Sequence, residues 1–377
     1  MTKNQNAHDN ENNELENMLL NADDNNLPSF SNERGEYSYK ERYIQIRTLL
    51  QPIHSEVEKG ALVNSLKEYL KKINESLTGD ELEEAIKNIP VIYLNNHGHG
   101  HVEKVMERVY GLLSFFEKGS LSPYEIFILL CAIQLHDVGN VFGREEHEKT
   151  LQRISKEKCS PFIPDTPERK LIEKIAVAHG GKYNGDKDTI SLLKVDEDMK
   201  DQKVRTRLLA GLLRFGDEIA DDFTRADREG LQQGIVPEES LLFHYFSLAL
   251  HTVKIEKDKV TSEVYLHLVF EFDSDIATKQ FDKFGKKVYL LDEIYERTMK
   301  TEQERRYCKR FFKPYLSIER IKVEININDV NDIFHVESIP YVLEEKGYPD
   351  VRNEFKFEIT GEKLCKAFSK SEVDKDE

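Results

Sequence analysis

The sequence predicts a mainly α protein in which a long helical region is followed by a smaller α+β domain. Three observations predict it. From about residue 41 to 247, apolar residues recur at i, i+3, i+4 and i+7, the spacing of one helix face. From about 248 the spacing switches to alternation, the period of a strand with one buried face. Residues 1–38 and 370–377 are polar and acidic with few large apolar side chains, so they read as disordered tails unable to offset their ordering entropy.

The elements follow in order. Residues 56–77 carry apolar positions at helical spacing, and Thr78 and Asp80 offer caps to a short helix ending before Pro90. Val102, Val105, Met106, Val109, Leu112, Leu113 and Phe116 define the next helix. Ser122-Pro123 with Glu125 opens another, because proline suits the first helical turn. That helix, 124–137, is apolar nearly all round and belongs at the centre of the core. Leu171, Ile172, Ile175 and Ala176 form a stripe that His179 continues and Gly180-Gly181 ends. Val204, Leu208, Leu212 and Phe215 form a further stripe leading to Asp217. The α+β domain, 248–369, begins with a hairpin of Thr252–Glu256 and Glu263–Phe272 around the turn Lys257-Asp258-Lys259. A helix over about 288–313 is stopped by Pro314, and a strand runs from Ile318 to Ile327. Asp329-Val330-Asn331 then offers to open a short helix toward Lys346.

Bulk properties exclude several classes. No apolar run approaches the length of a membrane span; the longest is Ile126 to Ile133. No basic segment followed by an apolar stretch marks a leader. The four cysteines lie far apart without a CxxC pair, which points to a reducing compartment and a cytoplasmic protein. The net charge of −16 argues against extended nucleic-acid binding, while leaving room for a local basic pocket. A GxxxxGK[ST] phosphate loop and a GxSxG elbow are both absent, and Cys131 sits within the apolar run as a core residue.

The chemistry-bearing residues gather at the ends of these helices. The apolar helix terminates in His136-Asp137, where two polar side chains diverge by about 100° and can both face one site. Upstream is His101, in Asn-His-Gly-His-Gly-His (96–101); downstream are His147, His179 and Asp217. A lone histidine on an apolar face is ordinarily a satisfied core residue, and a lone aspartate near a helix end is ordinarily a cap. Four helices each delivering such a residue at an apolar-to-polar boundary instead suggest one or two divalent ions. Imidazole with carboxylate suits Mn, Fe, Co, Ni or Zn, and carboxylate-rich variants suit Mg. His97 and His99 are alternate ligands or phosphate contacts, or simply part of a surface loop. Arg144, Lys182, Arg214 and Arg225 are the nearest cationic clamps, with Lys182 and Arg144 closest in sequence to the ligands.

The pattern over about 95–225 resembles the HD superfamily of metal-dependent phosphohydrolases. His101-Val-Glu-Lys-Val105 resembles its first motif, Leu135-His-Asp-Val-Gly-Asn140 its signature, and Leu212-Leu-Arg-Phe-Gly-Asp217 its final-aspartate motif. The resemblance implies a helical HD-domain bundle in which His101, His136, Asp137 and Asp217 hold a first ion. It also implies that His147 and His179 match the extra histidines of two-metal members, with Asp137 bridging. Asn140 to Glu148 resembles the segment after the signature in dNTP triphosphohydrolases, where extra histidines act on the phosphates. Gly180-Gly181 departs from the cyclic-dinucleotide members.

The implied activity is hydrolysis of a phosphate ester or anhydride in a small phosphorylated substrate, a nucleotide above all, by water activated on the metal. His147 or His179 would protonate the leaving group if a second ion is absent. The alternatives are a cyclic-nucleotide phosphodiesterase and a metal- or nucleotide-binding signalling module without turnover. The α+β domain is the candidate for homo-oligomer contacts.

Overall fold

The computed structural model describes residues 14–22, 30–32, 35–73, 98–139, 147–180, 182–183, 185–234, 236, 238–329, 336–345 and 359–373. The protein is mainly α, with a four-stranded sheet in its C-terminal part. The chain divides into two compact units, Met1–Val57 with His97–Ala220, and Glu58–Asn96 with Asp221–Glu377. Among the described residues no helix is long and apolar enough to cross a membrane.

The first unit is helical. It contains α1 (Glu14–Leu20), the strands β1 (Phe30–Asn32) and β2 (Gly35–Tyr37), and the start of α2 (Tyr39–Ile73). It continues with α3 (His99–Leu113), α4 (Pro123–Leu135), α5 (His147–Ile154) extended by a π turn over Ser155–Cys159, and α6 (Thr166–Val177). A small ladder of β3 (Glu197–Met199) and β4 (Gln202–Val204) precedes α7 (Thr206–Glu218).

Helix α4 is the axis of this core: every side chain from Tyr124 to Leu135 is buried, as its unbroken apolar sequence requires. Its start is the expected one. Ser122 Oγ accepts the Glu125 amide at 3.1 Å and Glu125 Oε2 accepts the Ser122 amide at 3.0 Å, a reciprocal capping box. Helices α3 and α7 present their apolar stripes to the same core, through Val102, Val105, Met106 and Val109 on one and Leu208, Leu209, Leu212 and Phe215 on the other. They can approach closely because α7 has Gly216 at the crossing. A Cβ there would lie 2.5 Å from the Val109 side chain. That contact brings the turn carrying Asp217 against the turn carrying His101.

The second unit contains α8 (Arg228–Gln233), α9 (Glu238–Ala249), β5 (Leu250–Lys257), β6 (Val264–Asp273), α10 (Ser274–Thr278), β7 (Gln280–Lys283) and β8 (Lys286–Tyr289). It ends with α11 (Leu290–Phe312), β9 (Ile318–Asn328), β10 (Val336–Glu344) and α12 (Gly361–Val373). The sheet order is β10-β9-β6-β5. The β5–β6 and β9–β10 pairs are antiparallel and β6–β9 is parallel, which a chain excursion containing α11 makes possible. The expected hairpin, helix and strand are all present.

Four expectations need correction. Residues 14–20 are not a disordered tail: α1 buries Leu15 and Leu19 completely, a one-turn apolar pair hidden in an Asn- and Asp-rich stretch. Helix α12 likewise runs to Val373, past residue 370. The segment toward Lys346 is strand β10, because pairing with β9 along Val336–Glu344 outweighs the local helix-opening signal. Finally, residues 221–247 cluster with the C-terminal unit and not with the helical one. Ser247 Oγ donates to Asp221 at 2.8 Å and Phe246 packs on Phe270 of β6, so the division falls at Ala220 and not at 247. The helix expected over 80–90 lies outside the described residues.

Candidate metal centre

The centre is built at the ends of helices within the first unit. His136 keeps α-helical torsions as the C-cap of α4, so its ring falls into the same buried surroundings as the apolar helix before it. Its Nδ1–H donates to the Ile133 carbonyl at 2.6 Å, which fixes the ring and leaves Nε2 facing the cluster. Asp137 follows a third of a turn on and is 14% exposed. His101, on the first turn of α3, is buried, and Asp217 comes from the last turn of α7.

These four side chains converge. His101 Nε2 lies 3.0 Å from Asp217 Oδ1, 3.3 Å from His136 Nε2 and 3.7 Å from Asp137 Oδ2. His136 Nε2 lies 3.6 Å from Asp137 Oδ2 and 3.8 Å from Asp217 Oδ1. His179, just past the end of α6, stands on the other side of Asp137, with Nε2 3.8 Å from Oδ1. Its Nδ1–H donates to the Ala176 carbonyl at 2.5 Å, repeating the device that orients His136.

The electrostatics match this placement. Burial works to raise the Asp137 carboxyl, but the charges of His136, His179 and His101 outweigh it and bring its pKa down to about 2. Asp217 is pushed the same way: burial opposes, and the hydrogen bond and charge of His101 prevail. Burial and the neighbouring His136 push His179 below the usual histidine range, so its ring is neutral at pH 7.

The donor set fits a divalent cation. With Nδ1–H of His136 donated to a carbonyl, its Nε2 is the nitrogen that faces Nε2 of His101, and two ionised carboxylates lie within 3.8 Å of these nitrogens. One divalent ion would satisfy all of these groups together. The ligand atoms of His101, His136 and Asp137 all lie within 4.8 Å of one another.

The remaining sequence candidates fare differently. Lys182 is described and exposed, three residues after His179. Arg214 is not a free clamp: it is buried, and Nη1 donates to the Lys187 carbonyl and the Thr189 hydroxyl, both at 3.0 Å. Arg225 belongs to the second unit, where its guanidinium lies 3.8 Å from Asp221. His99 directs Nε2 to Glu103 at 3.0 Å. His147 opens α5, but its side chain, like Arg144 and His97, lies outside the described residues.

Sequence reading missed His54. It lies on α2, two residues after Pro52, and is fully buried. Burial and the charges of His136 and His99 bring its pKa down to about 4. Neither of its ring nitrogens has a hydrogen-bond partner among the described residues. No local signal separated this histidine from an ordinary helix residue.

The family model HD-CE matches residues 91–298, more than half of the chain. The match extends well past the motif region ending near 225 and takes in the β5–β6 hairpin, β7, β8 and the first part of α11. No curated protein and no solved structure matches the chain. With the His-Asp signature at the end of the buried helix and a family match on both sides of it, the chain belongs to the HD-CE family.

Proposed function

We propose that the protein is a metal-dependent phosphohydrolase that cleaves a phosphate ester or anhydride, with a nucleotide as the substrate class. The observation that carries this reading is the convergence of His101, His136, Asp137 and Asp217, with donor atoms 3.0 to 3.8 Å apart. His101, His136, Asp137 and Asp217 would hold the first ion. Bound there, the ion would supply Lewis-acid activation of water and neutralise charge on the phosphoryl oxygens.

The rest is chemistry of the chain's own residues. Asp137 faces His101 and His136 with Oδ2 and His179 with Oδ1, an arrangement suited to a carboxylate shared between two ions. The lowered pKa of His179 makes it a poor proton donor at pH 7 and favours a ligand role over protonation of the leaving group. His147 is the further residue assigned to a second ion. Lys182, exposed and next in sequence to this side of the cluster, is the cation assigned to the remaining phosphates.

The test is a hydrolysis screen of the purified chain with Mn, Mg, Co or Ni. It covers nucleoside mono- and triphosphates, dNTPs, cyclic nucleotides and cyclic dinucleotides, with Asp137→Ala as control. Product that disappears in the variant supports the reading and names the bond broken. Unaltered turnover in Asp137→Ala sinks it, and metal binding without product across the panel shifts the assignment to a sensing module.

A further inference from the structure

Glu16 is an acid almost wholly out of solvent, carried on the seven-residue helix α1 in a stretch with the composition of a solvated tail. A buried carboxylate is costly unless its oxygens are paired, and both oxygens of Glu16 are. Oε1 accepts the Tyr43 hydroxyl at 2.6 Å, and Oε2 accepts Arg47 at 2.9 Å. Each partner leads on toward the metal centre. The Tyr43 oxygen accepts the Gln134 amide N–H at 3.1 Å, and Gln134 stands two residues before His136. Arg47 approaches Glu103 at 3.6 Å, and Glu103 holds His99 Nε2 at 3.0 Å; these two residues flank His101 on α3. Leu15 and Leu19 seat α1 on α3 and α4, the helices that deliver His101 and His136.

The hydrogen bonds also have a fixed sense. A carboxylate can only accept, so Glu16 makes Tyr43 the donor on its side. The Tyr43 oxygen is then left to accept, which makes Gln134 present its NH2 group to Tyr43. The amide oxygen of Gln134 is thereby turned away from Tyr43. Without Glu16 the tyrosine hydroxyl is free to donate to Gln134, and the amide can reverse.

We propose that α1 is a built-in part of the metal centre, with Glu16 as a positioning residue that sets the Tyr43–Gln134 chain leading to His136 and the Arg47–Glu103–His99 chain beside His101. The proposal rests on the metal reading above. Metal affinity is therefore the readout, and turnover is not needed.

The experiment measures Mn2+ and Ni2+ affinity of the full chain by calorimetry, with a thermal melt of each variant. Glu16→Ala is expected to bind metal about tenfold more weakly, the lower end of what loss of a supporting partner causes. Glu16→Gln, which keeps an oxygen to accept from Tyr43, should recover most of that affinity. Tyr43→Phe, which removes no charge, should reproduce the loss, and it decides the matter if Glu16→Ala does not fold. Leu15→Ala weakens the seating of α1 while leaving the polar chain in place, and should stay within about twofold of the wild type. Folded Glu16→Ala or Tyr43→Phe protein with wild-type affinity overturns the proposal, as does an equal loss in Leu15→Ala. A wild-type chain that binds neither ion overturns the metal reading itself, and this proposal with it.

Discussion

Two charged clusters lie buried in the helical unit, and they are built on opposite principles. At the first, Arg42 and Glu168 are both fully buried and meet at 2.6 Å. Arg42 Nε donates to the Phe162 carbonyl at 2.7 Å, and its guanidinium lies over the Phe127 ring at 4.5 Å. Glu168 also accepts Tyr124 at 2.9 Å and pairs with Lys200 at 3.0 Å. Anions and cations are matched, with donors for the carboxylate oxygens. At the second, His101, His136, Asp137 and Asp217 bring imidazole nitrogens and carboxylate oxygens together with no lysine or arginine among them. The first cluster is complete as protein and contributes to a unique fold. The second is an acceptor-rich set that gains its sense from an added cation. Buried charge alone therefore does not distinguish a structural site from a functional one; the balance of donors and acceptors does.

The comparison can be broken most sharply at Arg42. Arg42→Ala leaves Glu168 buried with only Tyr124 and Lys200, and should cost about 3–5 kcal/mol, nearer the lower figure because those partners remain. Urea unfolding measures it. A loss below about 1 kcal/mol, the range of an exposed pair, would remove the contrast between the clusters.

At the metal centre the larger effect should be on turnover. Asp217→Asn removes an ionised carboxylate that pairs with His101 and whose depressed pKa marks it as stabilising, so the metal-free protein should lose about 1–3 kcal/mol. Turnover of whichever substrate the screen identifies should fall more than about 100-fold, since loss of even a supporting residue reaches that range. A variant that unfolds while the residual enzyme keeps full activity would place Asp217 with the structural cluster.

Acid opens a window on the metal-centre side, through its histidines, that the Arg42–Glu168 cluster lacks. His54 and His179 have folded pKa values below their unfolded value, so the unfolded chain binds more protons as pH falls below about 6.5. The metal-free protein should lose stability from there down through the folded values, about 4 for His54. The Glu168 carboxyl would be raised by burial, but Arg42 and Lys200 hold it below the usual carboxylate range. Its contribution is intact above the unfolded value and is lost at lower pH, as its depressed folded pKa is crossed. His54→Gln should flatten the slope between about pH 6.5 and 4 by roughly 2–3 kcal/mol in total, leaving the more acidic phase in place. Unfolding free energy measured across that pH range in metal-free buffer tests it, and an unchanged slope excludes His54 as its source.

The smallest effect lies at the far end of the helix that delivers His136. Ser122→Ala breaks the capping box at the start of α4 and should cost about 1 kcal/mol. Arg205, which holds Glu125 Oε2 at 2.6 Å, stays in place. Metal affinity should not change, because the cap and the ligands sit at opposite ends of α4.

What was legible in the sequence followed from strong periodicity and from polar residues placed where periodicity says core. Helix α4 and its His136-Asp137 ending stand out because an all-apolar run ending in two metal-type residues has few other readings. The stripes leading to His179 and Asp217 were legible for the same reason. α1 was not, because composition averaged over 1–38 conceals a single Leu15–Leu19 turn. β10 was not, because a strand at a sheet edge draws its stability from a partner distant in sequence.

By itself, then, the sequence determined the helices, the apolar faces that pack them, the hairpin, and which residue types stand ready to bind a metal. These depend on local period and side-chain chemistry. Only the tertiary structure decided that His101, His136, Asp137 and Asp217 meet within 3.8 Å, that His54 on α2 is fully buried, and that Glu16 reaches back toward them through Tyr43 and Arg47. Those contacts join residues up to 116 positions apart, as between His101 and Asp217. They exist because close packing, here permitted by Gly216 at the α3–α7 crossing, turns separate helix ends into one site.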